Sequence, residues 1–168
     1  MRELLKSVSF ALVLLLTAEN ARPRTLDRGM ANPEAPKTLS EADNDLLDDL
    51  SRRSVRYFLD HTNPITGLTL DRAPEADTKP RYEGVASIAA TGFGLTAFCI
   101  AADHRWISRE VARERVLAAL QYFARKAPEE RGWFYHFVDA ATGERRWHSE
   151  VSSIDTALLL AGILTARQ

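Results

Sequence analysis

Apolar positions recur at helical spacing in four stretches of the chain. Two of the four have a polar face and two have almost none. The first begins at Ser40-Glu41-Ala42-Asp43, a capping-box pattern. Leu46, Leu47, Leu50, Tyr57 and Phe58 then fall near one face, while Asp45, Asp48, Asp49, Arg52, Arg53 and Arg56 take the other positions. That spacing predicts an amphipathic helix with one wet side. Residues 85–102 carry no charge at all, which predicts a helix enclosed by protein, with Gly92 and Gly94 allowing close approach; a membrane span is the lesser alternative, since small and hydroxylated residues dilute the stretch and no basic flank anchors it. A third helix is predicted to start at Ser108 as its N-cap, with Ala112, Val116, Ala119, Leu120 and Phe123 as the apolar stripe. The fourth, from about Ser153, is apolar nearly all round as far as Leu164.

A four-helix bundle would use four amphipathic helices with similar stripes. Strict alternation of wet and dry helices instead predicts two layers, the dry helices enclosed and the wet ones outside. The fold class expected is all-α: a partial (α/α)6 toroid of about two helical hairpins, with a small β-hairpin in a loop. Internal echoes agree. Val85-Ala86-Ser87-Ile88 recurs as Val151-Ser152-Ser153-Ile154, Tyr57-Phe58 as Tyr122-Phe123, and Thr66-Gly67 as Thr142-Gly143. The offset of the halves is about 65 residues, suited to a helix-hairpin repeat with an elaborated loop. Closing a ring with six such units would need on the order of 400 residues. The chain therefore reads as the N-terminal part of a larger toroid, and its last helix reaches Gln168 without a Gly, Asn or Pro stop.

Composition narrows the class. Of 168 residues, 45% are hydrophobic and 27% charged, as in a folded domain rather than a disordered chain. A formal net charge of -1 gives no reason to expect a nucleic-acid partner. Cys99 is the sole cysteine, so an internal disulfide is excluded, and its apolar surroundings predict a packed thiol. No Cys or His spacing suits a metal, and no cofactor is expected. Arg2 and Lys6 ahead of the short apolar run Val8 to Leu16 read as a signal peptide over 1–21, hence export to the periplasm or medium. Residues 22–38, with prolines at 23, 33 and 36, read as a linker, and 39–168 as the domain. No stable membrane span is expected in the mature protein.

In this fold each wet-to-dry loop enters an enclosed helix at its N-terminus, so both such loops must lie at one end. They are residues 61–84 and 127–152, the two long connections, whereas the single dry-to-wet link is short. Long loops at one end mark the functional face. The first holds Asp71 and Arg72; the second holds Trp133, Tyr135, His136, Trp147 and Glu150, with a hairpin expected around the turn at 139–143. Aromatic faces cover the apolar side of a pyranose, while carboxylates and guanidinium groups bind its hydroxyls.

Four ordered blocks carry a family resemblance: Thr66-Gly67-Leu68 with Asp71-Arg72, residues 87–97, residues 132–137 and residues 149–162. From about Leu39 onward the chain resembles the bacterial glucoamylase-like (glycoamylase) family, which includes endo-β-1,2-glucanases and is similar to a domain of cyclic β-glucan synthases. The resemblance implies a toroid acting on a β-glucan-type oligosaccharide or polysaccharide. Glycoside hydrolysis generally uses two carboxylates. Glu150, just before an enclosed helix, is the first catalytic candidate; its alternative role is to complement the helix dipole. Asp155 is the second, although Ser152-Ser153-Ile154-Asp155 is itself a capping pattern. Asp71, Arg72, Trp133, Tyr135, His136 and Trp147 are the substrate-binding candidates. For Asp71 and Arg72 the alternative is a loop-ordering ion pair, and for the aromatics it is packing. The rival classes are a non-catalytic carbohydrate-binding remnant and a truncated product without function. An isoprenoid-processing toroid is disfavoured, because no DDxxD cluster is present.

Overall fold

The computed structural model describes residues 38–74 and 80–168. The expected signal peptide, and all but the last residue of the expected linker, lie outside the described residues. Four helices appear where the apolar periodicity placed them: α1 (Glu41–His61), α2 (Ile88–Asp103), α3 (Arg109–Arg125) and α4 (Ser153–Arg167). Four short strands accompany them: β1 (Val85–Ser87), β2 (Glu129–Glu130), β3 (Trp133–Phe134) and β4 (Phe137–Asp139).

The apolar α2, charged only at its last residue, Asp103, packs against each of the other three described helices. Its closest partner is α4, the other dry helix, and glycines make that approach possible. A Cβ on Gly92 would stand 2.5 Å from the Leu158 carbonyl oxygen and 2.7 Å from Leu159 Cα. A Cβ on Gly162 would run into the Gly92 carbonyl. Ile88, Leu95, Ala119 and Leu159 form the core between α2, α3 and α4. Val55, Ala97 and Ala101 form a second cluster between α1 and α2. Each fully buried Leu or Ile side chain contributes about 1.5–3 kcal/mol. The wet helices α1 and α3 thus flank an inner pair, the layering of a partial α/α toroid.

Two details differ from the periodicity. Leu46, Leu47 and Leu50 are exposed, because among the described residues the apolar packing on α1 lies at its later turns, around Val55 and Phe58. On α4 the side holding Thr156, Leu159 and Gly162 is buried, whereas Ile154, Leu160 and Leu164 are exposed. Its general apolarity therefore exceeds what α2 and α3 cover.

The long loops do meet at one end. β1 pairs antiparallel with β4, Ala86 facing Val138. Leu70 bridges to Ala86 on the other edge of β1, and Val138 bridges to Arg145. The result is a small patch of extended chain built from both loops, with Leu68, Leu70, Ala86, Tyr122, Val138 and Ala140 buried beneath it. The hairpin expected around 139–143 keeps its turn, but its incoming strand, β4, pairs mainly with β1, and the outgoing segment is joined to β4 by the Val138–Arg145 bridge. A separate small hairpin, β2 with β3, stands in the same loop. The opposite end is short: Arg105 takes a left-handed conformation (φ 60°) to close α2, and Ser108 caps α3 by accepting from the Val111 N–H at 3.2 Å.

The repeat is more regular in hydrogen bonds than in letters. Ser87 caps α2 and Ser152 caps α4, each accepting from the amide three residues on. Thr91 donates its hydroxyl to the Ser87 carbonyl and accepts the Thr69 N–H at 3.1 Å. Thr156 does the same with the Ser152 carbonyl and the Phe134 N–H, also at 3.1 Å. Leu70 bridges to Ala86 as Tyr135 bridges to Val151. All these pairs share the offset of Tyr57 to Tyr122. Ser87 is therefore matched by Ser152, one residue earlier than the letter echo Val85-Ala86-Ser87-Ile88 suggested.

Candidate active site

One bond of the repeat leads into the site. The Asp71 N–H donates to the Val85 carbonyl at 2.9 Å, and the His136 N–H donates to the Glu150 carbonyl at 3.0 Å. Asp71 and His136 thus hold equivalent places at the mouth, as do Val85 and Glu150.

In the second unit these places carry an imidazole and a carboxylate. His136 Nδ1 lies 3.0 Å from Glu150 Oε1, and its Nε2 lies 3.5 Å from Asp155 Oδ1. A neutral imidazole has one N–H to offer, and an imidazolium has two. The ring stacks on Phe137 at 3.7 Å between centroids, which fixes its plane. The two carboxylates differ. The Glu150 side chain is 68% exposed. Its own backbone N–H and then the His136 hydrogen bond hold its carboxyl below the usual range, with the charges of His136 and Arg145 adding. Asp155 is only 16% exposed and receives the Ser152 hydroxyl on Oδ2. The capping pattern is therefore half used: Ser152 caps Asp155, while the Ser152 N–H goes to the Phe134 carbonyl at 3.0 Å.

Trp147 stands beside this cluster, edge-on to Phe137 at 5.3 Å and 65% exposed. Trp147 and His148 are both left-handed, with φ of 54° and 50°. Such a conformation costs on the order of 1–3 kcal/mol per residue away from glycine and must be held by its surroundings. Arg145 holds it. Its guanidinium donates to the Ser149 and His148 carbonyls at 2.7 and 2.8 Å and lies 4.2 Å from the centre of the Tyr135 ring. Buried Ser149 both accepts the Phe137 N–H and donates to the Phe137 carbonyl, tying the loop to β4. Arg145 was not among the sequence candidates; a buttressing role leaves no local sequence signal beyond a cation near aromatics.

In the first unit Arg72 grips Asp71 Oδ2 through two nitrogens, at 2.6 and 2.7 Å. Asp71, Arg72, Arg81, Glu83, Val85 and Trp147 are among the walls of an open groove of about 440 Å³. The structure therefore gathers His136, Glu150 and Asp155 in one place and Asp71, Arg72 and Trp147 in an adjoining one. The Tyr135 ring lies under the Arg145 guanidinium. Trp133 sits on β3 opposite Glu130, half exposed, outside both groups. Among the described residues no set of three His, Cys, Asp or Glu side chains is arranged to hold a metal ion, and no helix is long and apolar enough to cross a membrane.

The chain, with paired helical hairpins and both long loops at one end, is similar in fold to glucoamylase-like α/α proteins. Its similarity to that class is direct. Over 136 residues the chain is 29% identical to the exo β-1,2-glucooligosaccharide sophorohydrolase (non-reducing end) of Parabacteroides distasonis, covering 78% of this chain and 18% of that protein. A β-1,2-glucanase structure from Parabacteroides distasonis superposes with a TM-score of 0.62 at 26% identity, covering 78% of this chain and 18% of the other. A Bacteroides uniformis structure provisionally named a glucoamylase gives a TM-score of 0.62 at 26% identity, covering 76% of this chain and 30% of the other. The chain spans less than a third of each of these proteins. No family model matches it.

Proposed function

We propose that the chain supplies part of the mouth of an exported glycoside hydrolase acting on a β-glucan, with β-1,2-linked glucose chains as the first substrate class to try. The observation that carries this reading is His136 set between Glu150 and Asp155 beside an exposed, buttressed Trp147. Two features suit Glu150 to act as a base or nucleophile: it is solvent-facing, and its carboxyl is held in the ionised form. A general acid needs the opposite, a raised pKa. Asp155, tied to Ser152 and His136, serves through the histidine it steadies. Trp147 covers a sugar face, and Asp71 and Arg72 bind hydroxyls.

A second reading, saccharide binding without cleavage, is favoured by that same asymmetry: one carboxylate is ionised and the other is committed to a cap. Release of reducing ends from linear β-1,2-glucan separates the two. The chain by itself is expected to be inactive, so the assay uses a protein carrying the complete toroid; there hydrolysis should fall about 100-fold or more in Glu150→Gln, with the thermal midpoint unchanged, as expected for loss of a base. Turnover within a few-fold of wild type would remove Glu150 from the chemistry. Glucan binding with no hydrolysis in the wild type would favour the second reading.

A further inference from the structure

The mouth is built twice, and the two copies have diverged at one pair of positions. In both units a loop residue donates its N–H to the carbonyl of the residue two before the helix cap: Asp71 to Val85, and His136 to Glu150. The second unit places an imidazole and a free carboxylate there. The first unit places the Asp71–Arg72 pair and an apolar Val85 there. We infer that the groove bounded by Asp71, Arg72, Val85 and Trp147 is a binding-only saccharide subsite, adjoining but distinct from the His136–Glu150–Asp155 cluster, and that it grips the part of a glucan chain lying beyond the reactive end. This rests on the saccharide reading of the site given above.

The chemistry of the groove fits that task. Its volume falls within the range of about 300–1,000 Å³ that holds small-molecule ligands. Both guanidinium bonds land on Asp71 Oδ2, which leaves Oδ1 to accept a sugar hydroxyl while Arg72 donates its remaining N–H groups. Trp147 supplies a flat face for the C–H side of a pyranose, and Val85 adds apolar surface where its counterpart Glu150 carries charge. The path between the two copies is continuous: His136 lies on Phe137, Phe137 touches Trp147, and Trp147 walls the groove. Strain in the Trp147–His148 backbone, held by Arg145, keeps the indole at that junction.

The test is titration of the protein with a β-1,2-linked glucose disaccharide and pentasaccharide, followed by NMR shifts of assigned side chains. Trp147→Ala and Arg72→Gln should each weaken pentasaccharide binding about tenfold and disaccharide binding less than twofold. Glu150→Gln should affect both lengths alike. Equal weakening of both lengths by Trp147→Ala and Arg72→Gln would overturn the divided mouth while leaving the saccharide reading intact. A wild-type protein that binds neither sugar would overturn the saccharide reading and the subsite with it.

Discussion

The two hairpin units have nearly the same skeleton and opposite mouths. Each has a serine cap, a buried threonine closing on the cap carbonyl, and a wet-helix tyrosine whose hydroxyl reaches a loop carbonyl. Tyr57 donates to Leu70 and Tyr122 to Gly143, at 2.8 and 2.7 Å. Each also has a tight turn in which a side-chain amide or carboxylate accepts two amides. Asn63 accepts from Ile65 and Thr66, and Asp139 accepts from Ala141 and Thr142. What differs is the pair of residues displayed at the mouth: a clasped Asp71 and Val85 in one unit, His136 and Glu150 in the other. A repeated backbone fixes where a side chain is offered, and the residue placed there decides what chemistry the position can offer.

The two units should differ most at a pair of glycines that share a place in the repeat. Gly67 and Gly132 are both left-handed, with φ of 70° and 87°. A Cβ on Gly67 would run into the Ala119 backbone, whereas one on Gly132 would meet nothing within 4 Å. Gly67→Ala should cost about 3 kcal/mol or more, combining overpacking with the left-handed penalty; Gly132→Ala should cost about 1–2 kcal/mol. Denaturant midpoints measure both. Equal losses would mean that α3 does not seat the first loop as described.

A smaller effect separates the turns by charge. Burial pushes the Asp139 carboxyl up, but the N–H groups of Thr142 and Ala141 and the Arg146 charge outweigh it and hold the group below the usual range. With the folded pKa lowered, the stabilisation is complete above the unfolded value of about 3.9 and is lost as pH falls through the folded value. Asn in the same turn keeps the acceptor and loses the titration. Asp139→Asn should therefore match wild type within about 0.5 kcal/mol at neutral pH and lose less stability on acidification. Melting curves of the two proteins that stay parallel from neutral to acid pH would show that the turn draws nothing from the charge.

Much of the skeleton was legible in the sequence. Uncharged residues 85–102 and the apolar run after Ser153 announced the inner helices. Ser108 announced a cap, and the loop lengths put both mouths at one end. The repeat itself was visible in Tyr57-Phe58 and Tyr122-Phe123, but its register was not. Val85 and Val151 look alike in letters, while caps and backbone bonds match Val85 with Glu150. The site was legible as a neighbourhood rather than a geometry. Glu150 and His136 are fourteen positions apart in the chain, and only the closing of residues 139–143 brings them together. Arg145, which holds the Trp147 turn, was hidden because buttressing depends on where carbonyls point. Trp133 and Tyr135 shared the aromatic signal of Trp147, yet one stands outside both groups and the other lies beneath a guanidinium.

A crystal structure of the protein with a β-1,2-linked glucose pentasaccharide would show whether saccharide lies across this mouth. The expected result is a sugar ring on the Trp147 indole, one end of the glucan within hydrogen-bond reach of Glu150 and the other beside Asp71 and Arg72. A saccharide bound at any other face, with these side chains unchanged, would contradict it.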